Sequence, residues 1–214
     1  MEETPTSRAG DGSLEAGVGL PAGARDPDAA WLDRIFGPER VWRPSERELP
    51  GELTHGPTRE FLTTVGLPCV WMERIGLDSR SLRLEGLWAQ NADEAYAVSR
   101  PLGAGAVADS CFKLMEHPDH YFMLDGDSGG IDLFLPDKWD WGRGYGGRYA
   151  SSVAEFVAVV GLAALTVKRV DDMGLEPALV MFEGWLDELG LLAAYPDLWS
   201  YVFEYLDEYF DDES

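Results

Sequence analysis

Basic residues are scarce in this chain, and their scarcity limits the partners it can have. Lysine and arginine together number 17 against 39 aspartates and glutamates, which gives a formal net charge of −22. A surface with this balance repels the phosphates of nucleic acids and attracts basic partners. We therefore expect a basic protein partner and no nucleic acid. Charge alone also fits the alternative that the acidity serves only to keep the protein soluble.

Cysteines and long apolar runs are also few. Two cysteines, Cys69 and Cys111, do not make a disulfide framework. No apolar run approaches the ~20 residues that a membrane-spanning helix needs. The N-terminus lacks a basic stretch followed by an apolar block, so no secretory signal is visible. These absences predict a cytoplasmic protein that does not bind a membrane.

Residues for catalysis or metal binding are sparse as well. The three histidines are His55, His117 and His120, and no nucleophile-elbow or P-loop pattern accompanies them. Cys111 with the last two histidines lacks a fourth metal ligand, and residues 125–136 lack the later oxygen ligands of an EF-hand loop. We expect no catalytic residue, no metal site and no cofactor. An enzyme that uses His117 or His120 remains an alternative.

The chain is predicted to form one domain with a tail. Residues 1–26 are rich in Gly, Ala, Pro and charge and have no apolar period, which predicts a flexible acidic tail. Residues 27–214 contain no Pro/Ser-rich linker, so we expect a single domain rather than two small ones. Its last part, residues 170–214, is predicted to be an acidic helical extension.

Helical patterns flank a strand-rich middle. Short helices are predicted at Trp31–Phe36, opened by Asp26-Pro27, and after Gly56-Pro57, with a short edge strand at Val41–Trp42 between them. Alternating and β-branched patterns then predict several strands. These are Val70–Ile75, Leu82–Trp88, Ala95–Ser99, Ser110–Glu116, Tyr121–Asp125 and Ile131–Leu135. We predict an α+β fold, with a central, mostly antiparallel sheet and with N-terminal short helices and C-terminal helices packed against it.

Three local signals follow the strands. The Gly/Asp run Asp125–Gly130 predicts a hairpin turn. Residues 137–147 predict an irregular, mobile surface loop, and its aromatic side chains are candidate partner contacts: Trp139, Trp141 and Tyr145. Ser152-Val153-Ala154-Glu155 is a capping box, in which Ser152 is the N-cap and Glu155 reaches back, and it begins a largely buried helix to about Val170.

Acidic residues dominate the C-terminal end. From Val170 onward there are thirteen Asp or Glu and no Lys or Arg. A second helix is predicted over 176–190, and a third from about Pro196 to Asp211. In the third helix, acids recur every three to four residues and form one stripe. The candidate contact residues on this stripe are Glu204, Asp207, Glu208 and Asp211. An ordinary amphipathic helix with a solvated face is the alternative.

The segment from Leu49 to Pro68 carries a recognisable pattern. It reads Leu49-Pro50, Leu53-Thr54, Pro57-Thr58-Arg59, Phe61-Leu62 and Val65-Gly66-Leu67-Pro68. Physically, it predicts a short helix that begins at Pro57 and ends at Gly66 in a left-handed conformation. As a pattern, it resembles the SUKH superfamily of bacterial immunity proteins, in particular the fourth subfamily. Tyr149-Ala150-Ser151-Ser152 followed by Phe156 supports the resemblance, which covers roughly residues 30–170.

This resemblance implies a Smi/Knr-like fold and an immunity function. Such a protein binds a cognate toxin and blocks it by stoichiometric inhibition without chemistry. Because toxins that act on nucleic acid are generally basic, the charge of this chain favours a nuclease or a deaminase as the toxin. An acidic regulatory adaptor that binds a basic host protein is the alternative.

Overall fold

The computed structural model describes residues 19–91, 110–118, 120–135 and 144–191. Within these ranges the helices are α1 (Ala29–Phe36), α2 (Gly56–Thr64), α3 (Ser81–Glu85), α4 (Val153–Met173) and α5 (Leu175–Leu189). The strands are β1 (Val41–Trp42), β2 (Leu67–Pro68), β3 (Trp71–Met72), β4 (Leu77–Asp78), β5 (Ala89–Asn91), β6 (Ser110–His117), β7 (His120–Asp125), β8 (Ile131–Leu135) and β9 (Gly144–Ala150).

The strands of the described residues form two antiparallel sheets. β1 pairs with β2 alone, and the larger sheet has the order β3-β4-β6-β7-β8-β9, with β5 also beside β6. β6, β7, β8 and β9 follow one another in space as they do in sequence, as expected of hairpin-connected strands. The predicted α+β fold, with helices packed on a mostly antiparallel sheet, is confirmed.

One face of the larger sheet packs against α4. Phe122 of β7 lies with its ring centroid 5.4 Å from that of Phe156 in α4, and Tyr149 at the end of β9 completes the aromatic cluster. From Phe156 to Ala164 every residue of α4 is buried. A helix that is apolar on all sides must be covered on all sides, and here the sheet, α1 and α5 share that task.

The start and end of α4 agree with the sequence prediction, and one detail of its cap differs. Ser152 is the N-cap, and its Oγ accepts a hydrogen bond from the Glu155 backbone N at 3.2 Å. The Glu155 carboxylate accepts the hydroxyl of Ser151 instead of reaching back to the Ser152 backbone. The capping box is therefore half formed, because a nearer hydroxyl takes the carboxylate.

Ser152→Ala is expected to lower the free energy of unfolding by about 1 kcal/mol, because one orphan backbone N–H of α4 loses its acceptor. Ser152→Gly should lower it by only a few tenths of a kcal/mol, since glycine is itself a tolerated N-cap. Urea denaturation of both variants measures the difference. Equal midpoints for wild type and Ser152→Ala would show that the cap contributes nothing.

Two of the strand predictions need correction. Leu82–Trp88 is not a strand: α3 occupies 81–85, and Gly86 with φ 65° closes it by donating to the Leu82 carbonyl. The apolar alternation there is misleading because Leu84 is 88% exposed. In Val70–Ile75 only Trp71–Met72 is extended, and a 3₁₀ turn follows. The predicted strand Ala95–Ser99 lies outside the described residues.

The predicted loop 137–147 is a strand over its last four residues. Gly144–Ala150 forms β9, which pairs with β8 in the register Phe134↔Tyr145 and Asp132↔Arg148. The glycines give this segment little intrinsic strand preference. The free edge of β8 supplies the hydrogen-bond partners that override that preference.

The N-terminal segment contacts the domain where the structure describes it. Ala24 is fully buried, Arg25 Nη2 donates to the Glu188 carbonyl at 3.0 Å, and Arg34 Nη2 donates to the Ala22 carbonyl at 3.2 Å. Helix α1 begins after the N-cap Asp28, two residues later than Asp26-Pro27 suggests. Residues 1–18 of the predicted tail lie outside the described ranges. None of the described helices is long and apolar enough to span a bilayer.

Candidate functional site

Helix α5 carries the described part of the acidic C-terminal region. Its inner side packs on α4 through buried residues that include Phe182, Trp185 and Leu186. Its outer side is exposed and acidic, because acids recur at helical spacing opposite the apolar stripe. We call this surface the acidic face; its residues are Glu176, Glu183, Asp187 and Glu188.

The carboxylates of the acidic face form no ion pair with a cation in the described part of the chain. In α4, Asp171 pairs with Arg74 at 2.6 Å and Asp172 pairs with Arg169 at 3.8 Å. By contrast, none of the described Lys or Arg side chains forms an ion pair with the four carboxylates of α5. The nearby Arg25 donates to the Glu188 backbone carbonyl. The charge of the acidic face is therefore directed at solvent.

The acidic face includes a small exposed patch without charge, formed by Val180 and Gly184. Val180 is 63% exposed, and a Cβ at Gly184 would meet no atom within 4 Å. Glu183 and Asp187 are four residues apart, a spacing at which like charges are slightly destabilising. A basic partner would relieve this repulsion and could cover Val180 at the same time.

Of the predicted contact residues, only Tyr145 lies within the described ranges. Glu204, Asp207, Glu208 and Asp211 lie outside the described residues, as do Trp139 and Trp141. Tyr145 is described: it is half-buried on β9, beside Phe134, on the sheet face that turns away from α4. It does not belong to a loop, and it lies on the opposite side of the sheet from α5.

This outer face of the sheet holds a mixed cluster. Cys111 and Met123 are buried there, with Tyr121, Phe134 and Tyr145 packed against them. Tyr121 stacks on Phe134 with 5.8 Å between ring centroids, and Lys113 Nζ lies 5.1 Å from the Tyr121 ring. The cluster explains why the outer-facing residues of β6 and β7 are only partly polar.

An ion pair on the same face was missed from sequence. Arg148 Nε lies 2.7 Å from Asp132 Oδ1, and the Asp132 side chain is 1% exposed. Their positions are cross-strand partners in β8 and β9. The available signal was the alternation in Ile131-Asp132-Leu133, which places Asp132 opposite the core residues, but the partner becomes visible only once β9 is recognised as a strand.

The family-like segment 49–68 acts as a clamp within the fold. Arg59 Nη1 donates to the Pro50 carbonyl at 2.8 Å and to the Leu53 carbonyl at 2.9 Å, and its Nε donates to Glu46 Oε1 at 2.7 Å. The Arg59 guanidinium thus provides hydrogen-bond donors for two backbone carbonyls of the preceding loop. A planar guanidinium with five N–H donors is suited to this role. Gly66, with φ 92°, follows the end of α2 and has the positive φ that the sequence predicts.

The same segment holds the predicted hairpin turn between β7 and β8. The backbone N–H groups of Thr54 and His55 both donate to the Gly126 carbonyl at 2.9 Å. Within the turn, Asp125 Oδ1 accepts from the backbone N of Asp127 at 3.0 Å and of Ser128 at 2.8 Å. Two patterns that are far apart in the sequence therefore meet, and the hairpin prediction is confirmed.

The β6–β7 hairpin brings two histidines together. His117 and His120 face each other across β6 and β7 with their Nδ1 atoms 3.5 Å apart, and both are buried. Each of them lies at the end of its strand. Cys111 lies at the far end of the hairpin, opposite Asp125. Among the described residues no group of three possible metal ligands occurs.

Two pKa shifts have structural causes. The Arg80 guanidinium, hydrogen-bonded to Asp78, lowers the pKa of that carboxyl below its usual range. Burial raises the pKa of the Tyr149 phenol well above its usual value, because the charged form would lose its hydration. Neither residue lies on α5, so neither shift points to chemistry at the acidic face.

Comparison with known proteins identifies a family. No curated protein and no solved structure gives a significant match to the chain. The model of the family described as SUKH-4 immunity protein matches residues 27–177, from just before α1 to the first turn of α5. This range includes the Arg59 clamp and the hairpin turn that it holds. Because the match covers well over half of the sequence, the chain belongs to the SUKH-4 immunity protein family.

Proposed function

We propose that this protein neutralises a basic toxin that acts on nucleic acid, by binding the toxin stoichiometrically through the acidic face of α5. Membership of an immunity protein family supports a toxin as the partner. The observation that carries the choice of surface is the set of four exposed carboxylates on α5, which form no ion pair with a cation of the described chain.

The proposed mechanism is electrostatic and involves no bond making. A toxin that binds nucleic acid needs cations to hold phosphates. The acidic face would attract those cations at long range and hold them at contact, so that the toxin cannot engage its substrate. Glu204, Asp207, Glu208 and Asp211 are proposed as further toxin contacts. A nuclease or a deaminase fits this mechanism, and a cytoplasmic location without nucleic-acid or membrane partners belongs to the same proposal.

Reversing the charge of the acidic face should slow toxin binding. In the triple variant Glu176→Lys, Glu183→Lys and Asp187→Lys, we expect the association rate at low salt to fall by about tenfold or more, with a flatter salt dependence. The matched control is Glu52→Lys, Glu60→Lys and Glu85→Lys, which changes net charge equally at exposed acids elsewhere. Stopped-flow or surface-based kinetics with the cognate toxin domain measures both.

The two variants separate a local effect from a general one. Equal slowing in both would assign the effect to net charge, and wild-type kinetics in the α5 variant would refute the acidic face as the contact. In the latter case, Trp139, Trp141 and Tyr145 become the surface to test. Titration of toxin activity should also reach full inhibition near equimolar protein, because the proposed inhibition is stoichiometric.

A further inference from the structure

A cleft with a basic rim opens beside the edge strand β3. Its volume is about 200 Å³, and its apolar lining includes Phe36, Met72 and Val167. Three cations, Arg40, Arg74 and Lys168, and one acid, Glu73, also line it. Pockets that hold drug-sized ligands measure roughly 300–1,000 Å³. The basic cleft, as we call it, therefore suits one or two side chains rather than a cofactor.

The three cations of the cleft differ in whether a carboxylate lies close enough to pair with them. Lys168 Nζ donates to the Ile35 backbone carbonyl at 2.9 Å and forms no ion pair with a carboxylate in the described ranges. Arg40 lies 3.9 Å from Glu39, with both side chains mostly exposed, whereas Arg74 is held by Asp171 at 2.6 Å. In a chain with a net charge of −22, the cleft thus presents at least two cations to solvent.

Trp71 adds an apolar contact to this cleft. It is 42% exposed on β3, and the Arg80 guanidinium lies 5.5 Å from its ring centroid. Exposed tryptophan with nearby arginine is the composition typical of the energetic centre of protein interfaces. The apolar lining, the exposed tryptophan, and two cations that are paired weakly or not at all favour a peptide in which a large apolar side chain has carboxylates as neighbours.

The C-terminal residues of the chain have this composition. Residues 192–214 include seven Asp or Glu and no Lys or Arg, together with aromatic residues such as Trp199, Phe203 and Phe210. We propose that the basic cleft binds an aromatic side chain of residues 192–214 of the same chain, with neighbouring carboxylates on Arg40 and Lys168. The acidic C-terminus and the basic cleft would then form an intramolecular contact.

The end of α5 lies within reach of the cleft. Arg25 ties the Glu188 carbonyl to the segment just before α1. From there α1, eight residues long, leads over about 12 Å to Phe36 in the cleft. A chain of 23 residues spans up to about 75 Å when extended, so reach does not limit the contact. Tethering also raises the effective concentration of the segment to roughly the millimolar range.

This contact can be tested separately from toxin binding, although the segment 192–214 also carries the proposed toxin contacts Glu204, Asp207, Glu208 and Asp211. The acidic face lies on α5, within the described chain, and it does not contribute to the cleft. The three rim cations can engage only some of the seven carboxylates, and the others remain available to a partner. Testing the contact requires no toxin, so its failure would leave the proposed function untouched.

Limited proteolysis of the full-length protein tests the proposal. Chymotrypsin cleaves after aromatic residues, and mass spectrometry reports the rate of cleavage within 192–214. Arg40→Glu and Lys168→Gln should each raise that rate by about fivefold, because cleavage follows the population of the undocked segment. The glutamine amide introduced by Lys168→Gln could still donate to the Ile35 carbonyl. Arg47→Glu is the matched control: it is exposed, has the same charge change as Arg40→Glu, and lies outside the cleft lining.

Each alternative result has a defined meaning. Unchanged cleavage in both cleft variants would overturn the proposal, as would an equal rise in Arg47→Glu. Protection that disappears when wild-type protein is diluted would show that the segment of a second copy fills the cleft, which overturns the same-chain contact. Circular dichroism confirms that the variants are folded, and Arg40, largely exposed, gives the safer variant of the two.

Discussion

Replacing Arg148 with methionine is expected to lower the free energy of unfolding by about 3 kcal/mol, or the melting temperature by about 6–12 °C. Asp132 is buried, and the guanidinium of Arg148 is 2.7 Å from its carboxylate. Methionine keeps much of the side-chain volume and removes the guanidinium, so the buried Asp132 carboxylate loses its ion pair with Arg148. Removing a cation from beside a buried carboxylate costs far more than the ion pair itself contributes, even though the Arg148 side chain is 36% exposed.

Two further variants test the cause of this loss. Asp132→Asn combined with Arg148→Met should recover more than half of the lost stability, because the buried charge is then gone. Arg169→Met is the matched control, since the Arg169–Asp172 pair is 3.8 Å long and exposed, and its loss should change stability by less than about 0.5 kcal/mol. Similar losses in Arg148→Met and Arg169→Met would contradict the assignment.

A substitution at Gly130 is a second, independent way to disturb the Arg148–Asp132 ion pair. A Cβ built on Gly130 would overlap Nη1 of Arg148, so the guanidinium lies directly on this glycine. Gly130→Ala should therefore displace Arg148 and reproduce part of the loss caused by Arg148→Met. Gly51→Ala, where a Cβ meets nothing within 4 Å, should have little effect. Urea denaturation of the two alanine variants measures this contrast.

Gly161→Ala in α4 is expected to lower the free energy of unfolding by about 2 kcal/mol, even though alanine is the better helix former. The new Cβ would lie 2.7 Å from Cζ3 of Trp31 and closer still to Cη2. Trp31 is almost fully buried, so its ring cannot swing into solvent. Overpacking of about 1–3 kcal/mol or more then outweighs the helix preference of about 1 kcal/mol.

The sign of the effect should reverse at Gly184, which is the matched control. It lies in α5, and a Cβ there meets nothing within 4 Å, so Gly184→Ala should add about 0.5–1 kcal/mol. Trp31→Phe combined with Gly161→Ala should recover part of the loss, because phenylalanine is smaller than the indole. Thermal and urea denaturation compare all three. Stabilisation by Gly161→Ala would show that Trp31 does not press on α4.

Elements that depend on their nearest neighbours were predictable from sequence. The α4 cap at Ser152, the turn Asp125–Gly130 and the positive φ of Gly66 are each set by a few adjacent residues. The strands β6, β7 and β8 were predicted to within one residue at each end, whereas two other assignments were wrong. α3 was mistaken for a strand because a short apolar alternation also fits a helical turn, and β9 was missed because its partner strand, not its own composition, makes it extended.

By itself, the sequence determined the fold class, the sign of the charge and the family pattern, since composition and local spacing carry all three. Only the tertiary structure decided what that pattern does. Arg59 donates hydrogen bonds to the loop that precedes α2, and backbone N–H groups next to this loop bind the Gly126 carbonyl in the β7–β8 hairpin. The tertiary structure also placed Tyr145 on the side of the sheet away from α5 and set Gly130 beneath Arg148. Such contacts join residues many positions apart, and their existence depends on how the sheet and helices pack, which local spacing does not specify.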